Sequence, residues 1–413
     1  VGSEMCIRDS MKDLERKKYL GWLRKQKNQP LVKVITGVRG CGKTALLRRF
    51  QEELAEENAG KARVLAVDLE SPEFEDLTDC EALNRYLETQ IEEGQSCFVF
   101  LDEIQHVENW EATAAWLLSP GTCDLYVSSS CFWEPGKKAF GLLEEKWAVL
   151  EMQPLSFREY QDARGKAEKE EAKKALQQYT ESGSFPYLSG RSLDREETRE
   201  YLRGLYHTIL LNDVVKRQKI ADAVVLEAIS RFLMYEIGIR TSPAAIANAM
   251  AASGRKVDQK TVDRYLQGLT ESQLFYEVRR YHIKTRKLLT TMNKFYLCDP
   301  VFGRMMVRQE EKDQERVLEN LVFLELKRRY SEVYNGQLGA STEIDFVAIR
   351  DGRPVYFQVA ESTKDPAALS EKLTPLQQIR DNYPKYLLTM DEQEADYEGI
   401  LQLNLVQWMK ETV

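Results

Sequence analysis

Gly37-Val38-Arg39-Gly40-Cys41-Gly42-Lys43-Thr44 decides the reading of this chain. It is preceded by Leu31-Val32-Lys33-Val34-Ile35-Thr36, a β-rich apolar run, and followed from Ala45 to about Glu57 by a helical pattern. A G-x-x-x-x-G-K-[ST] stretch between a strand and a helix is a phosphate-binding loop. Glycines let successive backbone N–H groups curl around phosphates, and the helix N-terminus adds a favourable dipole. The nucleotide contacts expected are Gly37, Val38, Arg39, Gly40, Cys41, Gly42, Lys43, Thr44 and Ala45. Lys43 is expected to reach the β- and γ-phosphates, and the Thr44 hydroxyl to ligate Mg²⁺. Arg39 lies inside the loop, where it can face the nucleotide or a neighbouring subunit.

Working outward, RVLAVDLE (63–70), SCFVFLDEI (96–104) and DLYVSS (124–129) read as strands, with helices over 81–93 and around Trp110 to Leu118. Strands alternating with helices imply a parallel sheet covered on both faces. Phe98-Val99-Phe100-Leu101 is a doubly buried strand ending in Asp102-Glu103. Asp102 is expected to hold Mg²⁺ through its water shell, and Glu103 to orient and deprotonate the attacking water. The next strand ends in three serines, of which Ser129 is chosen as a polar γ-phosphate sensor. A water-activating acid favours hydrolysis over transfer to a small molecule, so a small-molecule kinase is disfavoured.

At 413 residues the chain is too long for one core. The fold expected is α/β: a P-loop NTPase parallel sheet over 11–160, a linker helix over 161–185, a helical winged-helix-like module over 186–310, and a restriction-nuclease-like α/β domain over 311–413. Residues 1–10, VGSEMCIRDS, read as a non-native leader before Met11. No apolar run approaches the roughly 18 residues of a membrane span. Lys+Arg 58 against Asp+Glu 66 gives a net charge of −8, which excludes a chain whose whole surface coats nucleic acid but permits a local basic face. Seven cysteines without a C-x-x-C pair, beside three histidines, suit a reducing cytoplasm and argue against structural zinc.

GVRGCGKTALL (37–47), FLDEIQHVENW (100–110), VSSS (127–130) and PLSFREY (154–160) resemble the bacterial and archaeal AAA-type ATPases that often carry a C-terminal domain designated DUF4143. ILLNDVVKRQKI (209–220), TVDRYLQGLTES (261–272) and EIDFVA (343–348) are similar to that second domain. The resemblance implies ATP rather than GTP, and activity in assemblies such as a homo-oligomer. Family members usually carry a second loop arginine, where this chain has Gly40, and a Gly-Arg pair before the strand leading into PLSF. Here that stretch is Leu143-Glu144-Glu145-Lys146-Trp147. If the family arginine acts as a finger, Lys146 offers only a point charge in its place. Slow hydrolysis, or an ATP switch that does not turn over, follows as the alternative.

Helices over 226–237, 243–251 and 258–270 followed by a hairpin near 275–297 suggest a winged helix. Within 276–290, Arg279, Arg280, Lys284, Arg286 and Lys287 face a single acid, Glu277, with Tyr276 and Tyr281 interleaved. That is a footprint for double-stranded DNA, although such modules also contact protein partners. In the last domain, Glu319, Asp345 and Gln358 invite comparison with nucleases that bind Mg²⁺ through acids and position the nucleophile with a lysine. The lysine position is Ala360, so a degenerate core used for binding or assembly is expected, ahead of an ATP-dependent DNA-processing enzyme.

Overall fold

The computed structural model describes residues 16–58, 62–92, 94–119, 121, 123–131, 146–164, 169–189, 193–307, 314–339 and 342–411. The leader expected at 1–10 and the start of the first helix at Met11 lie outside them; that helix is described from Lys17–Gln26. The chain divides into two compact units. One takes residues up to Pro154 with Phe185–Arg191 and Glu271–Gln273; the other takes Leu155–Ser184, Ser192–Thr270 and Leu274–Val413.

The first unit is a five-stranded sheet in the order β2-β3-β4-β1-β5. Its strands are β1 (Val32–Thr36), β2 (Arg63–Asp68), β3 (Cys97–Asp102), β4 (Cys123–Ser129) and β5 (Trp147–Glu151), and every neighbouring pair is parallel. This is the P-loop NTPase fold. Every residue of β1 and β3 is buried, as continuous apolar strands in a covered parallel sheet must be. Lys33 is the exception in chemistry, and its ammonium is paired with Asp124 on the adjacent β4. β3 stops one residue earlier than the acids suggest, because Glu103 takes a left-handed turn at φ 55. Asp79 caps the helix Cys80–Gln90 by accepting from Ala82 N at 2.8 Å, which sets the start one residue before the position 81 expected from sequence.

The second unit holds an eight-stranded mixed sheet in the order β12-β13-β11-β10-β9-β8-β6-β7. Helices Ala223–Tyr235, Pro243–Ala252 and Gln259–Glu271 precede the antiparallel hairpin of β6 (Phe275–His282) and β7 (Lys287–Leu297). Ser242 and Pro243 start the second of these helices, the Ser242 hydroxyl accepting from Ala245 N at 3.2 Å. The remaining strands are β8 (Glu332–Leu338), β9 (Thr342–Arg350), β10 (Arg353–Ala360), β11 (Lys385–Thr389), β12 (Ala395–Tyr397) and β13 (Ile400–Asn404). β6 pairs in parallel with β8, Tyr281 opposite Gly336. The hairpin is thus the end of the C-terminal sheet, and one sheet spans the 310/311 position where the sequence suggests a division. Among the described residues, no helix is long and apolar enough to cross a membrane.

Candidate nucleotide site

The loop between β1 and the helix Lys43–Asn58 is shaped by its glycines. Gly40 and Gly42 sit at φ 82 and 103, a region other residues enter only with strain. Gly37 has a different reason. A Cβ there would lie 2.2 Å from the carbonyl oxygen of Met152 and 2.8 Å from Cys41 Sγ. Cys41 and Val38 are buried, and burial pushes the Cys41 thiol up. Ala45 is half-buried in the first helical turn.

Lys43 is almost fully buried. Its Nζ donates to Gly37 O at 3.0 Å and Ser130 Oγ at 2.8 Å, and lies 3.4 Å from Glu103 Oε1. Ser130 Oγ donates in turn to Glu103 Oε1 at 2.8 Å. Ser128 Oγ donates to Asp102 and accepts from Glu103 N at 3.0 Å. Ser129, the hydroxyl chosen from sequence, turns the other way and accepts from Cys131 N at 3.2 Å. The hydroxyl facing Lys43 and Glu103 is therefore that of Ser130. Strand alternation accounts for it, since residues two apart share a face.

The two acids are held differently. Burial resists ionisation of Glu103, but Lys43 and Arg39 overcome it and bring the carboxyl down to about 2. Asp102 is raised by burial and by Glu103 beside it, against hydrogen bonds from Ser128 and Thr44. Thr44 and Asp102 thus already meet as two hard oxygen donors, and a buried carboxylate that resists ionisation gains from a cation. The residues fit Mg²⁺. Arg39 turns to Glu70, its NH1 lying 2.7 and 2.8 Å from the two carboxylate oxygens.

Two residues of this unit escape sequence reasoning. Arg16, 6% exposed, donates to Cys41 O at 3.3 Å and Gln153 O at 2.7 Å, gripping the loop from 25 residues upstream. Gln273 Nε2 donates to Thr36 Oγ1 at 2.6 Å, and Thr36 Oγ1 to Cys131 O at 2.9 Å. Neither carries a local motif. Lys146 is exposed, and its carbonyl accepts from Val32 N at 2.9 Å; residues 143–145 lie outside the described set.

Residues 29–161 match a family model described as an AAA domain. The matched stretch contains the loop, both acids and all three serines. Residues 173–313 match a domain of unknown function designated DUF8612, which corrects the DUF4143 resemblance. An uncharacterised protein of Haemophilus influenzae is 28% identical over 96% of this chain and 98% of its own length. An uncharacterised protein of Methanocaldococcus jannaschii is 25% identical over 81% and 76%. Among solved structures, a Walker-type ATPase of Pyrococcus abyssi aligns with a TM-score of 0.49 and 15% identity, over 71% of this chain and 95% of that one.

In the second unit, Arg279, Lys284, Arg286 and Lys287 are exposed. Arg280 is half-buried and committed internally, donating to Thr291 O at 3.1 Å and Gln337 Oε1 at 3.3 Å. Tyr276 is buried, and Tyr281 stacks on Tyr334 at 5.6 Å. The exposed basic set is therefore smaller than the sequence suggests.

Proposed function

We propose that the AAA domain binds ATP with Mg²⁺ and hydrolyses it to ADP and phosphate, and that the nucleotide state controls the contacts made by the second unit. The observation that carries this is the Lys43–Ser130–Glu103 arrangement, a buried ionised acid beside the loop lysine. Thr44 and Asp102 would hold the metal, which when bound offsets charge on the phosphate oxygens. Lys43 exchanges Gly37 O and Ser130 for the β- and γ-phosphates. Glu103 orients the attacking water and accepts its proton, while the turn at φ 55 and the bond that its backbone N donates to Ser128 Oγ fix its main chain, and Ser130 Oγ holds its carboxylate. Ser130 takes the γ-phosphate-sensing place first assigned to Ser129.

The test is phosphate release from ATP by the wild-type chain, Lys43→Ala and Glu103→Gln, each with and without double-stranded DNA. Both variants are expected to lose turnover, with Glu103→Gln still binding ATP. The second reading is a nucleotide switch that recruits a protein or DNA partner without turnover. Lys146, exposed and unable to clamp a phosphate bidentately, favours it. ATP binding without phosphate release under either condition would select that reading. The exposed residues Arg279, Lys284, Arg286 and Lys287, on a hairpin that follows three helices in winged-helix order, support a DNA contact.

A further inference from the structure

A second set of ionisable groups, buried at Lys294 and half-buried at the acids around it, lies in the C-terminal sheet. Glu319 comes from the helix Gln314–Arg329, Glu343 and Asp345 from one face of β9, and Lys294 from β7. Lys294 Nζ lies 2.8 Å from Glu319 Oε1 and 2.7 Å from Glu343 Oε1, its side chain only 5% exposed. Tyr296 OH donates to the same oxygen of Glu319. Gly238, at φ 72, backs this carboxylate so closely that a Cβ would stand 3.2 Å from Oε2. Arg240 Nε is 3.3 Å from the other oxygen of Glu343. Asp345 Oδ2 accepts from Val359 N at 2.8 Å and stands 4.0 Å from Lys372 Nζ, while Gln358 Oε1 accepts from Asp345 N at 2.9 Å.

A helix acid, a strand acid and a third ligand on the next strand are the places where a restriction-type core holds its divalent cation. Here the residues do not fit one. Four carboxylates, those of Glu319, Glu343, Asp345 and Glu315, already face three cationic side chains, Lys294, Lys372 and Arg240; Lys372 bonds Glu315 and stands 4.0 Å from Asp345, and the Lys294 nitrogen stands between the carboxylates of Glu319 and Glu343. A second cation would be repelled by that ammonium at close range in a poorly solvated pocket. An exposed ion pair would have none of this character, because water would screen it and one acid would suffice.

We infer that the Lys294 ammonium is a built-in replacement for the divalent cation, so that this nuclease-like sheet holds no metal and cuts no phosphodiester. The missing lysine at Ala360 then needs no substitute, since the centre has become an internal salt. The spacing points to what removal would create. Oxygens bracketing a nitrogen at 2.7–2.8 Å are nearer to calcium's about 2.3–2.6 Å than to magnesium's about 2.0–2.1 Å. Taking away the ammonium leaves the carboxylates of Glu319 and Glu343, with the Tyr296 hydroxyl beside them, around a hole of calcium size.

Terbium(III), a calcium-sized ion whose emission is excited through nearby tyrosine, reports on this through Tyr296. In the full-length chain, Glu343→Gln alone is expected to leave tyrosine-sensitised emission unchanged. Lys294→Ala is expected to gain emission that calcium competes away and that Lys294→Ala/Glu319→Gln loses. The inference is overturned if wild-type emission falls in Glu343→Gln, or if Lys294→Ala keeps the wild-type circular dichroism yet gains no emission. Should Lys294→Ala fail to fold, two measurements on chains that keep Lys294 decide. Emission unaffected by Glu343→Gln together with no Mn²⁺-dependent plasmid nicking upholds the inference, and nicking that Asp345→Ala abolishes overturns it.

Discussion

Replacing Gly37 by alanine tests whether the first glycine of the loop is there for the phosphate or for the sheet. The added Cβ would stand 2.2 Å from Met152 O, a backbone atom that cannot rotate away. Reaching ordinary contact requires opening β1 from β5 by about 1 Å, a strain of the overpacking kind that costs about 1–3 kcal/mol. Met152 N donates to Thr36 O at 2.7 Å, and the same opening breaks that bond, adding about 1 kcal/mol. A total of about 2–4 kcal/mol corresponds to a fall in melting temperature of roughly 4–16 °C for a unit of this size. Thermal unfolding followed by circular dichroism measures it, with a fluorescent nucleotide titration beside it. The internal control is Gly21→Ala in the helix Lys17–Gln26, where nothing lies within 4 Å of the new methyl. That change should stabilise by about 0.5–1 kcal/mol. A Gly37→Ala chain that melts with or above the wild type would refute the steric argument, and nucleotide affinity alone would then explain the glycine.

Asp124 holds the buried Lys33 ammonium and accepts from Tyr126 OH and Asn28 N, both at 2.8 Å; Asp124→Ala is expected to cost about 3–5 kcal/mol, read as a lower urea midpoint at unchanged slope. Burial, with Glu319 nearby, pushes Asp345 up to about 7. The folded chain therefore binds this proton more tightly than the unfolded chain, so the group's contribution is greatest below about pH 4 and is lost as pH rises through 7. Asp345→Asn should flatten that decline in a pH series of denaturant midpoints. Among the hairpin residues, Lys284→Ala together with Lys287→Ala should weaken DNA retardation and reduce its salt dependence. Arg280→Ala should instead lower thermal stability, because its guanidinium is bonded to Thr291 and Gln337.

What was legible in the sequence was local chemistry. The loop 37–44 and the pair Asp102-Glu103 carry their meaning in consecutive residues, and the strand–loop–helix context around them is equally local. In the structure Ser130 lies beside Lys43 and Glu103; the residue chosen from sequence, within a run of three hydroxyls, is Ser129. Period-two alternation separates Ser128 and Ser130 from it, but only strand geometry says which face looks at Lys43. Arg16 reaches the loop, and Gln273 the end of the strand before it, by tertiary routes of 25 and 237 residues, which no spacing rule anticipates. β8 is not legible in the sequence because its buried positions include Asn335 and Gln337, polar side chains satisfied by neighbours that the sequence does not reveal. Lys294 is not legible for a related reason: the nuclease pattern places its lysine at position 360, whereas here the charge arrives from β7.

The parallel pairing of β6 with β8 also bears on how such a chain can be inherited. The segment matched as DUF8612 ends at residue 313, yet Arg280, Tyr281 and His282 find their partners at Asn335, Gly336 and Gln337. A gene cut between those points would strand one half of a ladder and bare a row of backbone groups ready to pair with any passing strand. The hairpin and the strands after residue 313 therefore share one ladder, and a boundary drawn at 313 divides it.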